Sequence, residues 1–162
     1  MNIWDQSTPI SEQRIVEFEQ RHDLKLPEDY RAFLLKHNGG IVYPKSYAAE
    51  SGVEICTSRL LSIDHENYYD NLDKVRDAAY WNGKQDHGLV QIAYDAGGQT
   101  IFMATKGDLA QTVYLVVDEQ PYLVAESFSD FILKMDTWYR LGPKTESDHM
   151  WDEYYREKGQ PF

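Results

Sequence analysis

The side chains in this sequence that could do chemistry are five histidines, one cysteine and many carboxylates. Three of the histidines directly follow an aspartate, in Asp64-His65, Asp86-His87 and Asp148-His149. A neighbouring carboxylate can orient an imidazole for metal binding or proton transfer. A metal site, however, needs three or four converging ligands, and the sequence has no H-x-x-x-H, H-E-x-x-H or D-x-D motif. We therefore interpret the three pairs as surface features and expect no metal.

Nucleophilic catalysis and phosphate binding have equally weak signals. Cys56 is the only cysteine and lacks the local pattern of a catalytic thiol, and Ser127 lies outside any G-x-S-x-G context. The Gly97-Gly98 pair fits a hairpin turn better than a phosphate loop, because no G-x-x-x-x-G-K follows. We predict no catalytic residue, no cofactor and a protein that is not an enzyme. A single cysteine also excludes an intrachain disulfide and fits a reducing cytoplasm.

The composition is that of an acidic globular protein. The 162 residues are 42% hydrophobic and 14% aromatic, which suits one domain with a real core. The longest apolar run, VYLVV, is far shorter than the roughly 20 residues of a membrane span, and MNIWDQ has no signal core. We therefore expect a cytoplasmic protein without a membrane partner.

The charge balance narrows the class of partner. There are 27 acidic and 16 basic side chains, which give a formal net charge of -11. This excess argues against nucleic acid, because basic patches make phosphate contacts. A basic protein partner would be steered towards such a field, although acidity for solubility alone is the alternative reading. The sequence leaves the oligomeric state open.

Helical periodicity predicts two helices that flank the most distinctive segment of the chain. The first is expected from about Ser11 to His22, with Ser11 as the N-cap and Ile15, Phe18 and His22 facing inward. The other is expected from about His65 to Trp81, where apolar residues again recur at helical spacing.

The segment LPEDYRAFLLKHNGG between them predicts a tightly bounded amphipathic helix. Pro27 suits the first helical position, where its missing N–H costs nothing. The inner stripe should contain Tyr30, Phe33, Leu34 and His37. Asn38, Gly39 and Gly40 can supply the left-handed residue that ends the helix.

The second half of the chain has the period of strands. After two less regular runs at Val53–Cys56 and Leu60–Ile63, four runs are separated by DAGG, TKGDLAQ and DEQP, which predicts an antiparallel meander. The four runs are Leu89–Tyr94, Thr100–Ala104, Val113–Val117 and Tyr122–Ala125. Because Val113–Val117 is apolar or aromatic on both faces, we expect that strand to be central and covered on both sides.

Ser127 with Asp130 three residues later resembles a capping box and begins a last helix. The side chains of that helix expected to face the core are Phe128, Phe131, Ile132, Met135 and Tyr139. The order of elements predicts a single α+β domain, with N-terminal helices and a C-terminal helix packed on a twisted, largely antiparallel sheet.

Three of these stretches together resemble a known family. LPEDYRAFLLKHNGG, IAYDAGGQTIFM and VYLVVDEQPYLVAESFSDFI are similar, in order and spacing, to the SUKH superfamily of bacterial immunity proteins and cell-wall assembly regulator-like proteins. The resemblance covers about Ile10 to Trp138. Its most specific pieces are the LP-x-x-Y-x-x-F-L helix with its Gly-Gly end and the A-x-S-F-x-x-F helix start.

The resemblance implies an antitoxin that binds a polymorphic toxin delivered by neighbouring cells, often a nuclease, and blocks its active site. The alternative that it implies is a non-enzymatic regulatory or scaffold protein of the cell-wall assembly regulator type. The family signature residues are implied to be structural, so they give no binding site. In this chain they are Leu26, Pro27, Tyr30, Phe33, Leu34, Gly39, Gly40, Phe128 and Phe131.

The contact residues for a partner should lie where acids and aromatics occur together, because Trp and Tyr dominate interfaces and charges set their register. HENYYDNLD and HMWDEYYRE have this composition, and residues 108–136 hold six acids against one lysine. We predict as partner-binding residues Glu66, Tyr68, Tyr69, Asp70, Asp73, Asp118, Glu119, Trp151, Asp152, Glu153, Tyr154 and Tyr155.

The C-terminal segment has an alternative interpretation, in which its aromatic rings only fold it back on the sheet. We predict a SUKH-like domain at residues 1–140 and an acidic aromatic extension, packed on or beside it, at residues 141–162.

Overall fold

The computed structural model describes residues 2–77, 88–142, 146, 149–150 and 153–154. Four α-helices and eight β-strands lie within these residues. The helices are α1 (Glu12–Arg21), α2 (Glu28–His37), α3 (Leu72–Asp77) and α4 (Phe128–Leu141). The strands are β1 (Asn2–Trp4), β2 (Ile41–Tyr43), β3 (Ser46–Ala48), β4 (Glu54–Leu60), β5 (Leu89–Asp95), β6 (Thr100–Ala104), β7 (Val113–Val117) and β8 (Gln120–Ala125).

Helix α1 forms as predicted, because its cap and its apolar stripe are both local. The Ser11 hydroxyl accepts the backbone N–H of Arg14 at 3.2 Å. Ile15 and Phe18 are fully buried. The helix lies within one residue of the expected bounds at each end.

Helix α2 differs from the prediction by one residue at its start. Pro27 is the N-cap, with φ −55° and ψ 147°, and Glu28 is the first helical residue. The Pro27 carbonyl accepts the N–H of Arg31 at 2.9 Å, which is the first bond of the helix. The extended ψ places Pro27 just outside the helix, so its expected position at the first helical residue is wrong.

The end of α2 is built as the sequence indicated, from three consecutive residues with positive φ. Asn38, Gly39 and Gly40 have φ of 46°, 81° and 119°. A Cβ on Gly39 would lie 2.2 Å from the Ser62 hydroxyl, so only glycine fits there. The buried Asn38 amide also donates to the carbonyl of Ile63 at 2.9 Å and fixes the chain after the turn.

The main sheet is fully antiparallel, in the order β3-β4-β5-β6-β7-β8, and β1 pairs with β2 in a second small sheet. The predicted α+β fold and the meander from β5 to β8 are confirmed. Of the two earlier candidate strands, Val53–Cys56 overlaps the start of the longer strand β4, whereas the predicted strand at Leu60–Ile63 is wrong because β4 ends at Leu60. Leu61 and Ile63 follow β4 and are fully buried without forming a strand. Their apolar character therefore reflects burial in the core and not strand pairing.

Strand β7 is covered on one face only, which corrects the expectation for Val113–Val117. Val113 and Leu115 are buried in the core. Tyr114 and Val116 lie on the other face and are only half-buried. The strand lies next to the edge strand β8, and β5 is the more buried one.

Helix α4 lies against the concave side of the curled sheet. It packs on β3 and β8, the two edge strands. The Tyr47 hydroxyl of β3 donates to the Val124 carbonyl of β8 at 2.7 Å, so the two edges meet beneath the helix. The Ser127 hydroxyl caps α4 by accepting the N–H of Asp130 at 3.0 Å.

The residues of α4 follow the predicted inner stripe in part. Phe128, Phe131 and Met135 are buried, whereas Ile132 and Tyr139 are half-buried. The helix continues to Leu141, so the predicted domain division at residue 140 falls within its last turn, and that division stays a prediction.

The helix expected from His65 to Trp81 begins later, at Leu72. A short 3-10 turn at Tyr68–Asp70 precedes α3, and residues 78–81 lie outside the described part of the chain. Leu72 and Val75 bury the inner face of α3. Among the described residues, no helix is long and apolar enough to cross a membrane.

Candidate partner-binding surface

Residues Glu66–Asp70, which we call the tyrosine turn, carry the most exposed aromatic rings among the described residues of the predicted contact set. Asn67 fixes the turn, because its side-chain carbonyl accepts the N–H of Tyr69 at 3.0 Å. The Tyr68 and Tyr69 rings meet edge to face, with their centroids 5.5 Å apart. Tyr68 is 49% exposed and Tyr69 is 68% exposed. Two preordered rings in solvent are well suited to become buried in an interface.

An arginine on β4 lies beside the tyrosine turn. The Arg59 guanidinium donates to the Asp5 carboxylate at 2.5 Å, and its Nε lies 3.8 Å from Asp70. The hydrogen bond from Arg59, together with its charge, holds the pKa of Asp5 below its usual range. The positive charge at this position is therefore offset within the protein by the carboxylates of Asp5 and Asp70.

The Asp64-His65 pair does not form a metal site. Asp64 binds the guanidinium of Arg14 at 2.8 Å, whereas Nδ1 of His65 accepts the N–H of Asn67 at 3.0 Å. The two side chains therefore serve different neighbours. Within the described part of the chain, no three potential metal ligands converge. His149 is exposed, and Asp86, His87 and Asp148 lie outside the described residues.

Asp73 cannot belong to the contact surface, although the sequence suggested it. It is only 4% exposed and lies among Arg14 and Arg21 of α1 and His22, the residue at the C-terminal cap of that helix. Asp73 was predicted from the acidic and aromatic composition of HENYYDNLD, which does not show which way a side chain points. Because α3 begins at Leu72, Asp73 lies on the side of that helix that faces α1. Glu66 is exposed and Asp70 is half-buried, so both remain candidates.

The predicted acids Asp118 and Glu119 form the tip of the β7–β8 hairpin, which we call the acidic hairpin. They follow the Val117–Gln120 pair and both have positive φ, 48° and 66°, as a type I′ turn requires. Both side chains are exposed. The hairpin therefore presents two neighbouring carboxylates at a defined position on the main sheet.

The C-terminal candidates are only partly described. Glu153 and Tyr154 are helical and exposed. Trp151, Asp152 and Tyr155 lie outside the described residues, so their predicted role stays a prediction.

Sequence reasoning missed an apolar feature of α4. Leu133 and Leu141 are 61% and 83% exposed and lie on the side of the helix away from the core. A groove of about 450 Å³ between α2 and α4 runs beside Leu133, over Phe33 and Phe128. The spacing of Leu133, Thr137 and Leu141 at i, i+4 and i+8 was a visible signal for this second stripe.

Comparison with known proteins gives one positive finding. The family model described as SMI1 / KNR4 family (SUKH-1) matches residues 9–134. No curated protein matches this chain. The match begins before α1 and ends inside α4, so it includes both the tyrosine turn and the acidic hairpin.

Proposed function

Because the chain belongs to the SMI1 / KNR4 family (SUKH-1), we propose that it is an immunity protein that binds a cognate toxin domain and blocks its active site. The family match is the observation that carries this proposal. The net charge of -11 and the exposed tyrosines support a protein partner of basic character.

The proposed mechanism is occlusion without catalysis. A nuclease toxin needs a basic groove for phosphates, and carboxylates placed across that groove would exclude nucleic acid. The exposed Asp118 and Glu119 have the charge and accessibility for this role. We place this inhibition in the cytoplasm, where a delivered toxin would meet its substrate.

Coexpression tests the function directly. The toxin domain encoded beside the gene of this chain would be expressed in a sensitive host with and without the chain. Survival that requires the chain, together with a 1:1 complex of the purified proteins, is the expected result. A toxin domain from an unrelated locus is the matched control and should remain toxic. A chain that neither protects nor binds would favour the regulatory or scaffold role.

Stoichiometry separates occlusion from catalysis. If the chain acts by binding, residual toxin activity should fall linearly and reach its minimum at one chain per toxin. An enzyme that destroyed the toxin would inactivate it at a small fraction of that ratio, and the inactivation would increase with time.

A further inference from the structure

A single row of side chains crosses the main sheet and links the tyrosine turn to the acidic hairpin. Directly opposed residues of antiparallel strands lie on the same face. The strand register pairs each member with the next across β4 to β8. The row consists of Arg59, Tyr94, Thr100, Val116 and Pro121. With about 4.8 Å between strands, its four steps span roughly 19 Å.

Thr100 and Val116 of the row lie on the face of the sheet that points away from the hydrophobic core, whereas Tyr94 is partly buried and also packs against the core. The residues next to it along the strands, Ile101 and Leu115, are fully buried against the helices on the other side. Thr100 and Val116 are half-buried, and Pro121 is exposed. Leu123, which is paired with Tyr114 on the same face, is 40% exposed. The middle of the row is thus a partly exposed strip formed by Tyr94, Thr100 and Val116.

Acidic side chains lie beside both ends of the row. At the β4 end, Nε of Arg59 lies 3.8 Å from a carboxylate oxygen of Asp70, which places the tyrosine turn beside this end of the row. At the other end, the acidic hairpin begins one residue pair beyond Val116 and Pro121. The basic member of the row, Arg59, is bound to Asp5.

We propose that this row, together with the tyrosine turn and the acidic hairpin, is the surface that contacts the toxin. The partner is a basic protein surface. Its Lys or Arg side chains contact the acids beside the two ends of the row, and its apolar side chains cover the strip between them. This inference rests on the proposed function and deepens it. Two copies of the chain, each with a net charge of -11, would repel one another on this face.

Three variants test the surface, with the toxin domain encoded beside the gene as the probe. Val116→Arg places a positive charge in the middle of the row, and the double variant Asp118→Asn, Glu119→Gln neutralises one end without a change of shape. Leu133→Arg is the matched control on the exposed side of α4. Each variant must melt within a few degrees of the wild type.

We expect Val116→Arg to weaken binding by about 30-fold or more, as the disruption of a hot spot does. The double variant should weaken binding at low salt, and Leu133→Arg should bind within about 2-fold of the wild type. If Val116→Arg does not fold, the double variant alone decides. If Val116→Arg and the double variant bind with unchanged affinity, or if only Leu133→Arg loses affinity, the proposed surface is wrong and the proposed function still stands. Wild-type chain that does not bind would instead overturn the proposed function.

Discussion

Nε2 of His22 lies 3.0 Å from Oδ1 of Asp73 and joins α1 to α3 across 51 residues of sequence. Both side chains are nearly completely buried. The Arg14 guanidinium contacts the other Asp73 oxygen at 2.5 Å. Burial alone would raise the pKa of Asp73, but the hydrogen bond from His22 and the charge of Arg14 together lower it. This cluster therefore fixes α3, and the tyrosine turn before it, against α1.

Asp73→Asn should reduce the free energy of unfolding by about 3 kcal/mol, since a broken buried ion pair leaves an uncompensated charge. Asp64→Asn is the matched control, because Asp64 also binds Arg14 but is 53% exposed, and it should cost less than about 1 kcal/mol. Denaturant unfolding at neutral pH measures both. The folded pKa of Asp73 lies below its unfolded value of about 3.9, so its contribution exists above that pH and is lost as pH falls. Equal losses in the two variants would contradict a special role for Asp73.

The pKa of His37 should lie below 6.5, because burial and the nearby charge of Lys36 disfavour its protonated form. The unfolded state then binds the proton more readily than the folded state does. The free energy of unfolding is therefore unaffected by His37 above pH 6.5 and decreases as the pH falls below that value. NMR titration of the imidazole measures the pKa. Lys36→Gln should raise the pKa but leave it below 6.5, since burial is the larger cause. Lys25→Gln, which lies beyond the other end of α2, should leave it unchanged.

Phe33→Ala should reduce the free energy of unfolding by about 3 to 5 kcal/mol, as the loss of a buried aromatic ring does. Phe33 is buried, and its ring centroid lies 4.9 Å from that of Phe128, so the cavity would open between α2 and α4. Leu35→Ala on the exposed side of the same helix is the control, with an expected cost below about 1 kcal/mol. Denaturant midpoints check both, and a loss below about 1 kcal/mol for Phe33→Ala would contradict its burial.

Tyr47→Phe should cost about 1 kcal/mol, the net value of one hydrogen bond, because it removes the donor to the Val124 carbonyl. The ring would stay in place, so packing against Phe131 should be kept. Amide exchange in β8 should accelerate more than exchange in β6. Uniform acceleration across the sheet would indicate global destabilisation and contradict a local link between the two edges.

The parts of the fold that follow local rules were predictable. The bounds of β6 and β7 agree with the sequence interpretation at every residue, because turn signals bracket both strands. Strands β1, β2 and β3 have three residues each, which is too short for a period to be visible. The pairing of β1 with β2 also depends on a distant partner, because α1 and α2 lie between the two strands in the sequence.

The candidate surface was predictable only in pieces. Composition pointed to Tyr69 and Asp118, and both side chains are exposed in the structure. It misplaced Asp73, since the burial of that carboxylate depends on Arg14 and His22 from another helix. It also did not indicate that Val116 lies on the less buried face of β7, because a strand that is apolar on both faces does not reveal which face is covered by the core.

A complex between opposite charges should form more slowly as salt is raised, because the Debye length falls from about 10 Å at 0.1 M to about 3 Å at 1 M. Asp118→Asn should slow association at low salt and leave dissociation nearly unchanged, since the carboxylate is exposed at the hairpin tip. Tyr69→Ala should instead speed dissociation, by a factor worth about 2 kcal/mol if the ring is a hot spot. Stopped-flow kinetics against the toxin domain separates the two rates, and unchanged melting temperatures are the control. An association rate that does not change with salt concentration would refute charge steering. A dissociation rate that Tyr69→Ala leaves unchanged would refute the tyrosine turn as part of the interface.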